Sequence, residues 1–392
     1  MTRTGRRRRR GLFVGLATVV VMVLMFAAGT GYFAGKIRSD GLAVPGPTHG
    51  YDLVVLASAS GQVTLREAPG QPRNDALRAG DVYGLDWQGG SGLLGAGAAS
   101  TAAGPVLRTM TLKVGRSPTV GSGAQLRRDV YQDPRSAYGV PTQDVDIDCA
   151  GGRCPAWFLP GRTSTWAILV HGKGATRTEP LRALGAVLKA GLPALVISYR
   201  NDPGAPRDPS GYYRYGATEW HDLDNAVGYA RGHGATHVVL VGFSMGGGIV
   251  ASYLEHAARP QPVNALVLDA PMLDFRRTVD FGAAHRSLPV VGGPLPRPLT
   301  WAAETVAGLR YGIDWKQIDY SKARWLHVPT LLFHGTADAT VPISTSDAVA
   351  RANPDLVHEV RVAGAPHVAS WNTNPTTYDA TLEAFLRHVE RP

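Results

Sequence analysis

Gly242-Phe243-Ser244-Met245-Gly246 decides how this chain is read. The pentapeptide follows the apolar run His237-Val238-Val239-Leu240-Val241 and precedes residues able to open a helix, which places a serine where a strand turns sharply into a helix. That is the setting of a nucleophile elbow: two glycines let strand and helix crowd together, and the serine hydroxyl projects from the sheet edge. With 47 glycines in 392 residues the pattern also arises by chance, so an ordinary serine in a Gly-rich turn competes with this reading. The rest of the chain decides, because a serine hydroxyl attacks only when a base takes its proton and an acid orients that base.

Strand and helix patterns alternate on both sides of the elbow. Apolar runs at 166–170, 194–199, 265–268 and 330–333, and the alternating Glu359-Val360-Arg361-Val362, read as strands. Helical spacing places Leu181, Leu184, Val187 and Leu188 on one face, then Trp220, Leu223, Ala226, Val227 and Ala230, and finally Tyr378, Leu382, Phe385, Leu386 and Val389. This alternation predicts an α/β fold, a mostly parallel sheet with helices on both faces, preceded by a hairpin at 145–149 and 154–159. About 60 residues separate the strands ending at Leu268 and beginning at Thr330, well beyond an ordinary connection. They predict an inserted cap at about 272–325, containing Leu288-Pro289-Val290-Val291, Trp301, Leu309 and Tyr311; a purely structural surface excursion is the alternative.

The base and acid come from strand ends. Asp338 follows the 331–333 strand in His334-Gly335-Thr336-Ala337-Asp338, and His367 follows the next strand in Ala363-Gly364-Ala365-Pro366-His367. Both positions fall on the sheet edge that carries Ser244, where residues far apart in sequence converge. An aspartate in such a turn is otherwise a turn former, and Asp269 is the alternative acid. His171 and His334, in His-Gly strand ends, read as structural, while His221, His256 and His388 fall on helices without a partner pattern. An oxyanion needs backbone donors after the nucleophile and after an earlier strand, which selects the Met245 and Lys173 N–H groups, the latter in His171-Gly172-Lys173-Gly174. Arg200 reads as a loop brace, with binding of an anionic group as the alternative. This chemistry calls for no metal and no organic cofactor.

The formal charge is +9, but Arg3 and Arg6 to Arg10 supply six positive charges; without them the balance falls to +3. A nucleic-acid partner is therefore not expected. From Gly11 to Gly35 no charged residue occurs, a stretch longer than the roughly 20 residues that cross a bilayer. It predicts a single membrane anchor with the N-terminus cytoplasmic and the remainder extracytoplasmic, a cleaved signal peptide being the alternative. Cys149 and Cys154 are the two cysteines, and in an oxidising compartment they predict a disulfide across a hairpin loop; no further cysteine pair or spaced histidines complete a metal site. Residues 39–49 read as a Gly/Pro linker, and short alternating runs between 51 and 120 as a small β-rich unit, with 89–104 low in complexity. The expected organisation is 1–36 for the basic terminus and anchor, 37–124 for linker and accessory region, and 125–392 for the main domain.

His171-Gly172-Lys173-Gly174, Gly242-Phe243-Ser244-Met245-Gly246-Gly247, His334-Gly335-Thr336-Ala337-Asp338 and Ala365-Pro366-His367 resemble the α/β-hydrolase superfamily over roughly residues 125 to 392. They look most like its serine-aminopeptidase-like and acyl-esterase-like branch, including membrane-tethered actinobacterial-type members. The resemblance implies an α/β-hydrolase fold and a Ser244–His367–Asp338 triad acting on a small-molecule or lipid acyl substrate by way of an acyl-enzyme. An acyltransferase, a serine aminopeptidase and a tethered binding protein without turnover are the other expectations.

Overall fold

A computed structural model describes residues 3–46, 50–97, 104–258, 262–286 and 293–390. The run Leu288-Pro289-Val290-Val291 and residues 98–103 of the low-complexity span lie outside the described residues. Helix α1 (Arg3–Lys36) leads the chain, and its apolar side chains from Leu12 to Phe26 are exposed. The stretch Leu12–Leu42 is long and apolar enough to cross a membrane by length and composition. A linker was expected from Ser39, yet the chain continues as a π-helical turn, Ile37–Leu42. The Lys36–Asp40 ion pair, one turn apart at 2.9 Å, and the buried Ile37 and Leu42 carry the helix past the expected boundary.

The β-rich region is a closed barrel. Its strands are β1 (Leu53–Ala59), β2 (Gln62–Glu67), β3 (Tyr83–Trp87), β4 (Gly90–Leu94), β5 (Val106–Gly115) and β6 (Gly123–Arg127), in the order β1-β2-β5-β4-β3-β6, with β6 pairing back to β1. Alternate residues point inward, and Leu53, Val55, Val63, Leu65, Leu85, Leu94 and Met110 fill the interior. A side chain at Gly90 would collide with the Trp87 ring and the Arg116 carbonyl, so this Gly-rich stretch is a strand packed too closely for a Cβ. Because β6 runs to Arg127, the barrel extends slightly beyond the boundary expected at residue 124. Helix α2 (Asp75–Ala79) closes one end, with Asn74 as its N-cap.

After α3 (Pro134–Tyr138) an eight-stranded sheet follows. β7 (Gln143–Cys149) and β8 (Gly152–Leu159) form a hairpin joined by the Cys149–Cys154 disulfide. β9 (Thr165–Val170), α4 (Leu181–Ala190), β10 (Ala194–Ile197), α5 (Trp220–Gly232), β11 (His237–Phe243), α6 (Met245–His256) and β12 (Val263–Asp269) then alternate. α7 (Phe275–Ala284) and α8 (Arg297–Tyr311) precede β13 (Thr330–Gly335), α9 (Ser344–Ala352), β14 (Val357–Val362), α10 (Ser370–Thr373) and α11 (Pro375–Val389). The order is β14-β13-β12-β11-β9-β10-β8-β7, parallel from β14 to β10 and antiparallel at β8 and β7.

Every residue of β9 is buried, as its aliphatic run requires when helices cover both faces of a parallel sheet. At the edge, β7 alternates exposed Asp144, Asp146 and Asp148 with the inward Ile147 and Cys149. After β10 the chain crosses to the other side of β9 to form β11, and this reversal opens a crevice at the carboxyl ends of the central strands.

The chain divides into two compact units, Met1–Ala43 with Arg276–Gln317, and Val44–Phe275 with Ile318–Pro392. Most of the insertion expected at 272–325 therefore groups with α1. Inside that unit Gly29 lies against Leu299 of α8, Arg276 pairs with the buried Glu304 at 2.7 Å, and Arg286 pairs with Asp40 at 2.5 Å.

Candidate active site

Ser244 ends β11 and caps α6 with φ 48° and ψ −115°, a backbone conformation that side-chain-bearing residues rarely adopt. Such a residue costs about 1–3 kcal/mol and persists only where its surroundings fix it. Here its N–H donates to the Asp269 carbonyl at 3.0 Å and its carbonyl accepts from Met272 N–H at 2.9 Å. The flanking glycines are required by contact: a Cβ on Gly242 would sit 2.8 Å from the Gly246 carbonyl oxygen, and one on Gly246 would sit 2.3 Å from the Val170 carbonyl oxygen.

The structure brings Asp338, His367 and Ser244 into one hydrogen-bonded line. His367 Nδ1 lies 2.7 Å from Asp338 Oδ2, and His367 Nε2 lies 2.9 Å from Ser244 Oγ. A carboxylate only accepts, so Nδ1 carries the hydrogen and Nε2 presents its lone pair to the serine hydroxyl. Burial alone would raise the Asp338 carboxyl, but hydrogen bonds from His334, His367 and the Val341 backbone outweigh it and hold the group well below the usual carboxylate range. Thr340 N–H and Val341 N–H donate to its Oδ1 at 2.8 and 2.9 Å. The charged form is therefore the one the fold prepares.

The alternative acid is engaged elsewhere. Asp269 accepts from Ser370 Oγ at 2.9 Å, and complete burial, opposed chiefly by Arg182, pushes its carboxyl up to about 6.

The expected oxyanion donors lie on the elbow and on the loop after β9. Met245 opens α6, so its N–H has no acceptor within the helix. Residues 171–174 pack onto Ser244 so closely that a Cβ on Gly172 would be 3.0 Å from Ser244 Cβ. Glu179 Oε2 holds the Gly172 N–H at 2.6 Å, and the Ala175 N–H donates to the Gly172 carbonyl at 3.3 Å. The loop that bears Lys173 is thus pinned on both sides of that residue.

Two histidines read as structural have defined neighbours. His171 is fully buried, 2.7 Å from Asp202 Oδ2 and stacked on Tyr199. His334 Nε2 stands 3.2 Å from Asp338 Oδ2 and 3.2 Å from the Val341 carbonyl, with Nδ1 2.8 Å from Ser346 Oγ. Both neighbours of Nε2 are acceptors, so Nε2 carries the hydrogen, which the Val341 carbonyl accepts and which faces the same carboxylate oxygen that His367 binds; the four-residue spacing from His334 to Asp338 was the available signal. Arg200 braces its loop, binding Asp222 through Nε at 2.7 Å and Nη2 at 2.9 Å. Sequence reading missed Arg182 and Asn372, buried side chains beside the His367 loop.

A family model for the alpha/beta hydrolase fold matches residues 168–287. A curated Vibrio vulnificus protein, Multifunctional-autoprocessing repeats-in-toxin, is 26% identical over 152 residues, which are 35% of this chain; the chain spans 3% of that protein's length. The solved structure of a Pyrococcus furiosus esterase is similar with a TM-score of 0.50 and 19% identity, over 67% of this chain and 95% of that one. An Exiguobacterium antarcticum esterase is similar with a TM-score of 0.46 and 18% identity, over 62% of this chain and all of that one. The sheet order, the strand–serine–helix turn at Ser244 and the family-model match assign this chain an α/β-hydrolase fold.

Proposed function

We propose that this chain is a serine hydrolase that cleaves a carboxylic ester, with thioesters and amides open to the same chemistry, through an acyl-enzyme on Ser244. The observation that carries the reading is the unbroken hydrogen-bonded line from Asp338 through His367 to a serine held at positive φ. His367 Nε2 takes the Ser244 proton as Oγ attacks the carbonyl, and the negative charge collects on the carbonyl oxygen. The Met245 and Lys173 N–H groups receive that oxyanion. His367 then returns the proton to the leaving alcohol, a water repeats the sequence, and the acid is released with Ser244 restored. Asp338 stays ionised throughout and balances the imidazolium. The proposal places the chain in the serine-aminopeptidase-like and acyl-esterase-like branch, with a small-molecule or lipid acyl substrate. It also has α1 retained as a single anchor, its N-terminus cytoplasmic and the catalytic domain on the outer side.

A fluorophosphonate probe and a short-to-long series of p-nitrophenyl esters, with an aminoacyl substrate included, test this directly. Wild type is expected to label at Ser244 and turn over an ester, and Ser244→Ala to lose labelling and about 10⁴-fold or more of kcat while remaining folded. A Ser244→Ala protein as active as wild type removes Ser244 from the mechanism.

A further inference from the structure

A chain of buried polar contacts runs from the barrel to the backbone beside His367. Asn372, on α10, is fully buried. Its Nδ2 donates to the Val82 carbonyl at 2.7 Å and to the Arg128 carbonyl at 3.0 Å, and its own carbonyl accepts from Val82 N–H at 2.9 Å. Val82 immediately precedes β3 and Arg128 immediately follows β6, and these strands pair with Gly84 opposite Arg127, so one side chain is held by two neighbouring strands at one end of the barrel. Its Oδ1 accepts from Arg182 Nη1 at 2.5 Å.

Arg182, on α4 and 1% exposed, also donates from Nη1 to the Val368 carbonyl at 2.6 Å and from Nε to the Glu179 carbonyl at 3.1 Å. Its guanidinium lies over the ring of Phe243, the residue before Ser244. Val368 follows His367 directly and has φ 51°, a conformation that a β-branched residue holds only under constraint. The carbonyl of that constrained residue is the one Arg182 grips. Glu179, next along the chain of contacts, holds the Gly172 N–H of the loop against Ser244.

We propose that Asn372 is a positioning residue through which the barrel sets His367: the barrel carbonyls fix Asn372, Asn372 fixes Arg182, and Arg182 fixes the Val368 backbone that aims the imidazole. The inference rests on the Ser244–His367–Asp338 reading above and gives the barrel a role in that site. A buried charged donor shared by two acceptors does not relax in place when one is lost, and a displacement near 1 Å at a reacting group costs on the order of 10²-fold in rate.

The experiment uses the full-length chain with p-nitrophenyl butyrate turnover, the rate of Ser244 phosphonylation and thermal unfolding. Asn372→Ala removes both side-chain links and leaves only the Val82 N–H on its backbone carbonyl. Asn372→Asp keeps an acceptor for Arg182 but faces the Val82 and Arg128 carbonyls with a carboxylate, so it severs the barrel link alone. Both variants are expected to lose about tenfold to a hundredfold in kcat and in phosphonylation rate with KM within about twofold. Leu65→Ala, inside the barrel and away from this contact, is expected to lower the unfolding temperature at least as much with kcat unchanged. Should Asn372→Ala fail to fold, Arg182→Met, which keeps an unbranched stem but donates to neither acceptor, is expected to show the same kcat loss. Wild-type kcat in Asn372→Asp, or a kcat loss in Leu65→Ala that tracks its stability, overturns the proposal. A wild-type protein that neither labels nor turns over overturns instead the triad reading on which it rests.

Discussion

Within the barrel, the non-glycine residue found at positive φ among the described residues is Ser60; around the carboxyl rim of the sheet there are five, Asn201, Tyr215, Ser244, Ala270 and Val368. Ser60 and Gly61 form the two-residue turn between β1 and β2, where positive φ at both positions matches the twist of a hairpin. That strain is local and serves only the turn. The rim residues are held by tertiary contacts: Ser244 by Asp269 and Met272, Ala270 by the Phe333 carbonyl at 2.8 Å, Val368 by Arg182. The difference teaches that strain at the rim of the candidate site is imposed by distant parts of the fold acting together, whereas at a turn the neighbouring residues suffice.

The largest effect that would sharpen this contrast is at the rim. Asp338→Asn leaves the shape of the site intact but replaces an obligate acceptor with a group that can stabilise the wrong His367 tautomer, and kcat per folded molecule is expected to fall about 10⁴-fold. A fall of less than tenfold in steady-state kinetics breaks the comparison.

In the barrel the expectation is reversed. Leu53→Ala opens a cavity in a fully buried interior and is expected to cost about 2–5 kcal/mol by denaturant titration, with kcat per folded molecule unchanged.

A smaller effect concerns electrostatic rather than torsional cost at the rim. Asp269 keeps its proton in the folded state up to about pH 6, whereas the unfolded chain releases it near pH 4. Between those values the folded state binds more protons, so stability falls as pH rises through the window. Asp269→Asn is expected to lack this fall and to gain about 2 kcal/mol relative to wild type on going from pH 4 to pH 8, read from paired urea midpoints. Parallel profiles for the two proteins would show that Asp269 carries no such cost. The smallest effect is Ser60→Gly, expected to stabilise by no more than about 1 kcal/mol and to leave turnover untouched, measured by the same titration.

How much of this was legible followed the range of the interactions. The elbow could be read because Gly242, Ser244 and Gly246 are local and their spacing states the backbone they need. Asp338 and His367 could be placed because each sits one turn past an apolar strand, and a parallel sheet puts such turns on one edge. The closed barrel could not be read: β3 and β4 are short, β4 reads Gly90-Ser91-Gly92-Leu93-Leu94, and closure depends on β1 meeting β6 some 70 residues later. Arg182 and Asn372 were equally silent, because their partners are 186 to 290 residues away and nothing in the local pattern marks them. The inserted segment was visible by length, yet its grouping with α1 was not, since helix–helix packing such as Gly29 against Leu299 leaves no periodic trace across so great a separation.

The outermost strand of the sheet has a consequence for life at high local concentration. β7 is an edge of the sheet, the usual invitation to a second sheet, and Arg153 Nη2 and Asn225 Nδ2 cap only its Asp146 and Asp148 carbonyls, at 2.6 and 2.9 Å, among the contacts of the described residues. Adding a copy of itself there would bring Asp144, Asp146 and Asp148 within about 5 Å of their counterparts, and mutual repulsion of three carboxylates on each side discourages that approach. Molecules crowded side by side therefore stay separate, and that protection weakens as added salt screens the row.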